Sequence, residues 1–341
     1  MAYWWSEEVQ EKTVHRMDAD RPVYFISDLH LGDGEHSDIF MKKDRQLFAL
    51  LEQVRKEGAR LVIGGDAIDF HQSWNFTRIV QAHGKLLRAF SDLADTNGVV
   101  YLYGNHDHDI RIYRDILRFE VCTELWIGGD ICVQHGHEFD PFIGKHLNAS
   151  HTATRFHHGV ERMTGAFLRM PLSDFYNWGM RLGLWASYNL FWRPMKVRNR
   201  LARALNFHRL ADKSEFFVKH WVRSEAGDPV GMTKPALAWA REKGLRALVC
   251  GHSHMPCNLD YQGSRYVNTG SWTFGWAQYT VLDQGEFRVR DWLSGREYRD
   301  ELYRPLLEGE LDELDFDRWW RNQYLGWLRY RSGEARRLLS G

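Results

Sequence analysis

Five times along this chain a short apolar run breaks off into a loop of Asp, His, Asn and Gly. VYFIS (23–27) leads into DLHLGD, Arg60–Ile63 into GGDAID, and VVYLY (99–103) into GNHDHD. Further on, ICVQ (131–134) leads into HGHEFD and LRALVC (245–250) into GHSHMP. Runs this short, bounded by turn residues, have the length of buried strands rather than helices. Helical spacing fills most of the intervals, near 38–57, 77–94, 110–119 and 233–243, and 264–292 reads as aromatic strands. Strands alternating with helices predict a layered α/β fold. All five polar loops then leave the C-terminal ends of strands, where sites assemble in such folds.

The chain has 341 residues, enough for one large domain with additions, or two. Lys+Arg and Asp+Glu number 45 each, so no whole-protein basic field exists to grip nucleic acid, and nucleic acid is not an expected partner. Four Cys without a CxxC pair give no basis for a disulfide scaffold or a Cys-based zinc site. Reduced thiols, an N-terminus lacking an apolar signal core and the absence of a long apolar run predict a cytoplasmic chain with no membrane span.

Two segments break the strand–helix rhythm. Residues 138–230 carry helical spacing and are locally basic, with 14 Lys/Arg against 8 Asp/Glu, and read as a helical cap inserted into the core. Within it, DFYNWGMRLGLWASYNLFW (174–192) spaces Trp178, Trp185 and Trp192 seven apart, and Arg193, Lys196, Arg198, Arg200 and Arg203 follow. A helix apolar on most sides either packs into its own subdomain or meets lipid. Trp185, Arg193 and Arg198 are accordingly the candidate substrate contacts. Residues 296–341, with Trp319, Trp320 and Trp327, read as a helical tail docked on the body. The expected division is a core of 1–137 and 231–295, a cap of 138–230 and a tail of 296–341.

The loops present Asp28 and His30, then Asp66, then Asn105 with His106 and Asp107, then His135, and finally His252 and His254. Imidazole and carboxylate donors suit divalent first-row metals. Two Asp, one Asn and four His exceed the needs of one tetrahedral ion. They can serve two ions about 3.5–4 Å apart if one carboxylate bridges. Each loop alone is weak, since a Gly-Asp step is more often a turn or a helix cap. Five in one order are not readily coincidental.

With DLH (28–30), GDAID (65–69), GNHD (104–107), HGH (135–137) and GHSH (251–254), the chain resembles the calcineurin-like metallophosphoesterase superfamily. The resemblance implies a four-layer αββα sandwich with a dinuclear site at one sheet edge. It implies Asp28, His30 and His254 around one ion, Asn105, His135 and His252 around the other, and Asp66 between them. His106 matches the catalytic histidine, with Asp107 to orient it, while Asp69 and His137 stand as outer partners. Two divalent ions are the implied cofactor, Mn by ligand type, with Fe, Zn or Mg as alternatives.

Within the superfamily, FISDLHLGD, HGHEFD and GHSHMP followed by NTGSW (268–272) are similar to the UDP-2,3-diacylglucosamine diphosphatase branch, which also carries an insert between the fourth and fifth motifs. This implies cleavage of a nucleotide-linked or phospholipid-like amphiphile into UMP and a lipid sugar phosphate, with peripheral contact to an anionic membrane on its cytoplasmic face. The chain departs from the branch at His106, where archetypal members carry Arg. The rival expectations are a soluble phosphodiesterase or phosphatase acting on nucleotides or phosphoproteins, and a non-catalytic binding scaffold.

Overall fold

A computed structural model describes residues 12–34, 38–40, 42–70, 76–140, 193–207, 229–273, 275–300 and 303–308. The aromatic segment 174–192 with Trp185, most of the expected cap, and Trp319, Trp320 and Trp327 lie outside the described residues.

Thirteen strands among the described residues form two sheets. The first has the order β13(Glu297–Tyr298), β12(Glu286–Asp291), β11(Gln278–Asp283), β2(Val23–Ile26), β3(Arg60–Gly64), β4(Val99–Leu102), β5(Glu120–Cys122). Strands β2 to β5 run parallel and β11 to β13 pair antiparallel beside them. The second has the order β1(Val14–Met17), β6(Glu124–Ile127), β7(Ile131–Val133), β8(Ala247–Cys250), β10(Ser264–Asn268), β9(Cys257–Tyr261). Helices α1(Asp44–Lys56), α2(Phe76–Thr96) and α3(Ile110–Leu117) follow the first sheet's strands. After them come α4(Arg193–Ala204), α5(Pro229–Glu242) and α6(Tyr303–Leu307).

The two-residue period of a strand explains the layering. Val23 and Phe25 face inward with Val62, Val100 and Leu102, meeting Ile131, Val133, Ala247 and Val249 of the second sheet. Their neighbours Tyr24, Ile26, Leu61, Ile63, Val99 and Tyr101 face the opposite way, onto Leu47, Leu50 and Val54 of α1 and Ile79, Leu86 and Phe90 of α2. On the far side Cys132, Leu248 and Cys250 pack against Met232, Ala236 and Ala240 of α5. Strands apolar on both faces need cover on both, so the fold is the expected four-layer sandwich. No helix of the described residues is long and apolar enough to cross a membrane.

The expected helix at 38–57 begins instead at Asp44. Asp38 is buried and acts as a turn residue, its Oδ1 accepting from Phe40 N and its Oδ2 from Gly34 N, both at 3.0 Å. These local bonds compete with helix formation. The imidazole of His83, buried on α2, sits between Asp38 Oδ2 at 2.5 Å and Asp44 Oδ1 at 3.3 Å. It thereby ties the segment behind the first polar loop to the helix layer. Burial opposes the charged ring, but the two carboxylates outweigh it and push His83 up to about 9. A folded-state pKa above the unfolded one gives stability that is complete below about pH 6.5 and fades as pH rises through 9. The thermal midpoint of the metal-free protein is therefore expected to fall between pH 7 and pH 10. His83→Gln should start lower and flatten that decline, as read by calorimetric scans; parallel curves for the two proteins would refute the clamp.

Candidate metal centre

The polar loops leave β2, β3 and β4 of one sheet and β7 and β8 of the other, and they meet at one end of the sandwich. Bonds across the sheets hold them there. His135 Nδ1 donates to Gly64 O at 2.8 Å, and His252 N donates to Asp28 Oδ2 at 3.1 Å. Asp28, His30, Asp66, His252 and His254 all have positive φ, between 49° and 64°. Non-glycine residues in this region cost about 1 kcal/mol or more each and persist where the surroundings over-determine them.

Among the described residues the structure brings the sequence candidates into three clusters, one of which, His30, Asp69 and His106, shares His30 with a ligand set. Asp28, His30 and His254 offer ligand atoms within 4.8 Å of one another, and Asp66, His135 and His252 offer another three. His254 Nε2 lies 3.2 Å from Asp28 Oδ1 and 3.3 Å from His30 Nε2. Asp66 Oδ2 is 3.1 Å from His135 Nε2 and 4.0 Å from His30 Nε2, so this one carboxylate stands between the two sets. Two glycines make the approach possible. A Cβ on Gly104 would lie 2.3 Å from Asp66 Oδ1, and one on Gly65, at φ +96°, would lie 2.3 Å from His135 Nδ1.

His106 donates its backbone N–H to Asp66 Oδ1 at 2.8 Å. Its imidazole orientation corrects the expectation for Asp107. The carboxylate facing His106 Nδ1 is Asp69 Oδ1, at 3.2 Å, while Asp69 Oδ2 meets His30 Nδ1 at 2.9 Å. Asp107 is buried beneath, accepting from Gly104 N at 2.6 Å, Ala67 N at 2.8 Å and Tyr101 Oη at 2.5 Å. It organises the loop backbones and does not touch the imidazole. Sequence reasoning also missed Asp140, which is buried and lies 3.0 Å from His252 Nε2. Its place five residues after His135 in HGHEFD was the available signal. Arg198 is exposed on α4 and donates to Asn199 Oδ1 at 3.0 Å. Arg193 opens that helix, and its side chain lies outside the described residues.

The donor atoms fit divalent cations. Among the described residues Asp28 Oδ1, Asn105 Oδ1 and His135 Nε2 are buried without a well-aligned hydrogen bond, as are His137 Nδ1 nearby and, away from the ligands, Arg21 Nε, His108 Nε2 and Thr280 Oγ1. Native interiors seldom leave such atoms unsatisfied, and three of the seven found among the described residues belong to the candidate ligands. Burial would raise Asp66 and Asp69, but the histidines around them hold both well below the usual carboxylate range. Burial opposes charge on His135, yet Asp66 and Asp28 push it up to about 10. His137, buried and beside His135 and His252, is driven down to about 4 and stays neutral. Burial and the nearby Asp66 charge raise Asp107 to about 6, against the hydrogen bonds from Tyr101 and Gly104.

A metal entering this cluster must displace the proton that Asp66 and Asp28 stabilise on His135. Mn²⁺ binding at pH 8, followed by calorimetry in buffers of different ionisation enthalpy, is expected to release about one proton and to weaken as pH falls. Buffer-independent heats would contradict that coupling. Gly104→Ala should weaken Mn²⁺ binding by roughly 10–100-fold, the size of effect seen when groups supporting ligands are disturbed. Its far-UV circular dichroism should match the native protein, and unchanged affinity would show that the close approach is dispensable.

The family model for calcineurin-like phosphoesterases matches residues 21–256. A UDP-2,3-diacylglucosamine hydrolase of Pseudomonas paraeruginosa (strain DSM 24068 / PA7) is 28% identical over 263 residues, covering 75% of this chain and 93% of that protein. A protein of the same name from Porphyromonas gingivalis (strain ATCC BAA-308 / W83) is 35% identical over 88 residues, 25% of this chain and 32% of that one. Among solved structures, the E. coli phosphoesterase Yfce shows a loose likeness, with TM-score 0.37 and 14% identity over 81% of this chain and 96% of that one. The family match runs through all five strand-end loops, and the chain belongs to the calcineurin-like phosphoesterase family of metal-dependent phosphoric-ester hydrolases.

Proposed function

We propose that the chain hydrolyses the diphosphate of an amphiphilic nucleotide-linked sugar of the UDP-2,3-diacylglucosamine kind, releasing UMP and a lipid sugar phosphate. The observation that carries this reading is the Pseudomonas paraeruginosa relative, aligned over 93% of its length. A surface feature supports it. On and just after α4, Val197, Leu201, Leu205 and Phe207 are 55–66% exposed. The same stretch, 193–207, contains Arg198, Arg200 and Arg203 and no Asp or Glu. An exposed apolar stripe beside arginines suits acyl chains or an anionic bilayer surface. Peripheral membrane contact on the cytoplasmic face belongs to the same proposal.

In this reading Asp28, His30 and His254 hold one ion and Asn105, His135 and His252 the other, with Asp66 shared, and Mn²⁺ is the ion proposed on donor type. Bound there, paired divalent cations supply charge neutralisation and a nucleophile drawn from water. The chain's own groups orient and shuttle protons. Asp69 faces Nδ1 of His106 and fixes the ring's orientation, which leaves Nε2 to protonate the departing oxygen. His137, kept neutral by burial, adds no positive charge beside His135 and His252.

A soluble phosphodiesterase is the second reading, favoured by His106 standing where the branch carries Arg. General acid help matters most when the leaving group is poor, and UMP is a good one. The deciding experiment is phosphorus NMR with Mn²⁺ and detergent-dispersed UDP-2,3-diacylglucosamine beside bis(p-nitrophenyl) phosphate. UMP and sugar 1-phosphate should appear, and Asp66→Ala should abolish them. Turnover of the simple diester alone would select the second reading. His106→Ala should slow an alkyl phosphodiester by about 10²–10³-fold and the lipid diphosphate by less. Equal losses on both would remove the general-acid role.

A further inference from the structure

The loop that carries His252 and His254 has little to hold it locally. Both histidines have positive φ, at 64° and 55°, and within the loop the backbone bond is Ser253 N to Gly251 O at 2.7 Å. Gly251 N donates to His135 O at 2.8 Å and His252 N to Asp28 Oδ2, and the further supports come from residues beyond the family match, which ends at 256. Asn268, fully buried at the end of β10, donates Nδ2–H to Gly251 O at 2.6 Å and to Ser253 Oγ at 3.0 Å. Tyr303, buried at the start of α6, donates its hydroxyl to Met255 O at 2.7 Å and lies 3.3 Å from Ser253 Oγ.

The Tyr303 hydroxyl has one proton, and it goes to Met255 O, so Ser253 must be the donor to Tyr303. The bonds therefore run in one direction: Asn268 Nδ2–H to Ser253 Oγ–H, to Tyr303 Oη–H, to Met255 O. Such a chain reinforces itself in a water-poor interior. It grips Ser253, which separates the two histidines, and Met255, which follows the second. We propose that Tyr303 is a positioning residue of the metal centre, holding the His252–His254 loop in its left-handed conformation through Ser253 and Met255. The inference rests on these histidines serving as metal ligands.

The test is Mn²⁺ affinity of the full chain by titration calorimetry, with thermal midpoint and circular dichroism measured alongside. Tyr303→Phe removes one oxygen and keeps the ring among its neighbours. It is expected to weaken Mn²⁺ binding at least 5-fold. Val54→Ala, a cavity in α1 facing the other sheet, serves as the stability control and should lower the thermal midpoint without moving the Mn²⁺ affinity. A Tyr303→Phe protein that loses stability but binds Mn²⁺ like the native chain overturns the proposal. Should Tyr303→Phe not fold, Ser253→Ala, which removes the middle hydroxyl of the chain, is judged by the same 5-fold criterion. No Mn²⁺ binding by the native protein would instead remove the metal-centre reading, and this inference with it.

Discussion

Asp66 must remain an anion where water scarcely reaches, for it is 1% exposed. A bare carboxylate there would neutralise itself by taking up a proton. It stays ionised because His135 lies beside Oδ2, His106 donates a backbone N–H to Oδ1, and His30 stands a little further off. Each of these partners comes from a different loop. Placing them around one oxygen pair requires strands from both sheets to end at the same level. The four-layer arrangement is therefore the scaffold that this electrostatic demand needs.

Local geometry bends to the same demand. Glycine appears where a side chain would strike the ligands, as at Gly104. Elsewhere the reacting residues themselves take the left-handed conformation, since Asp28, His30, Asp66, His252 and His254 cannot be glycine and also supply donor atoms. The buried strand ends, the Asp107 contacts under the loops and the Asn268 strap distribute that strain over the sandwich interior. A rigid, apolar core on both sides of each sheet makes the loops tolerable.

Much of this was legible in the chain before any coordinates. The central strands β2, β3, β4, β7 and β8 announce themselves because each is apolar on both faces and stops at Gly, His or Asp. The edge strands do not. VHRM in β1 has no fully buried residue, and β13 is two residues long, so neither leaves a pattern. Asp107 illustrates a different limit. Adjacency in sequence made it the natural partner for His106, but its side chain turns inward to backbone N–H groups and Tyr101. Asp69, thirty-seven residues earlier, fills that place. Tyr303 carries no motif at all, and only tertiary folding brings it, like Asp140, to the histidine loop.

The two sheets meet at the site in a way that bears on how the chain matures. Asp28 and His252 touch across 224 positions of sequence, and each candidate ligand set draws on loops of both sheets, so neither is complete until the two sheets have docked in one sandwich. Non-local contacts of this kind form late in folding. A divalent cation that prefers the finished site then acts as a ligand of the native state alone and draws the population toward it by mass action. A chain whose sheets have not docked would lack both the finished ligand sets and the stabilisation that a bound cation adds.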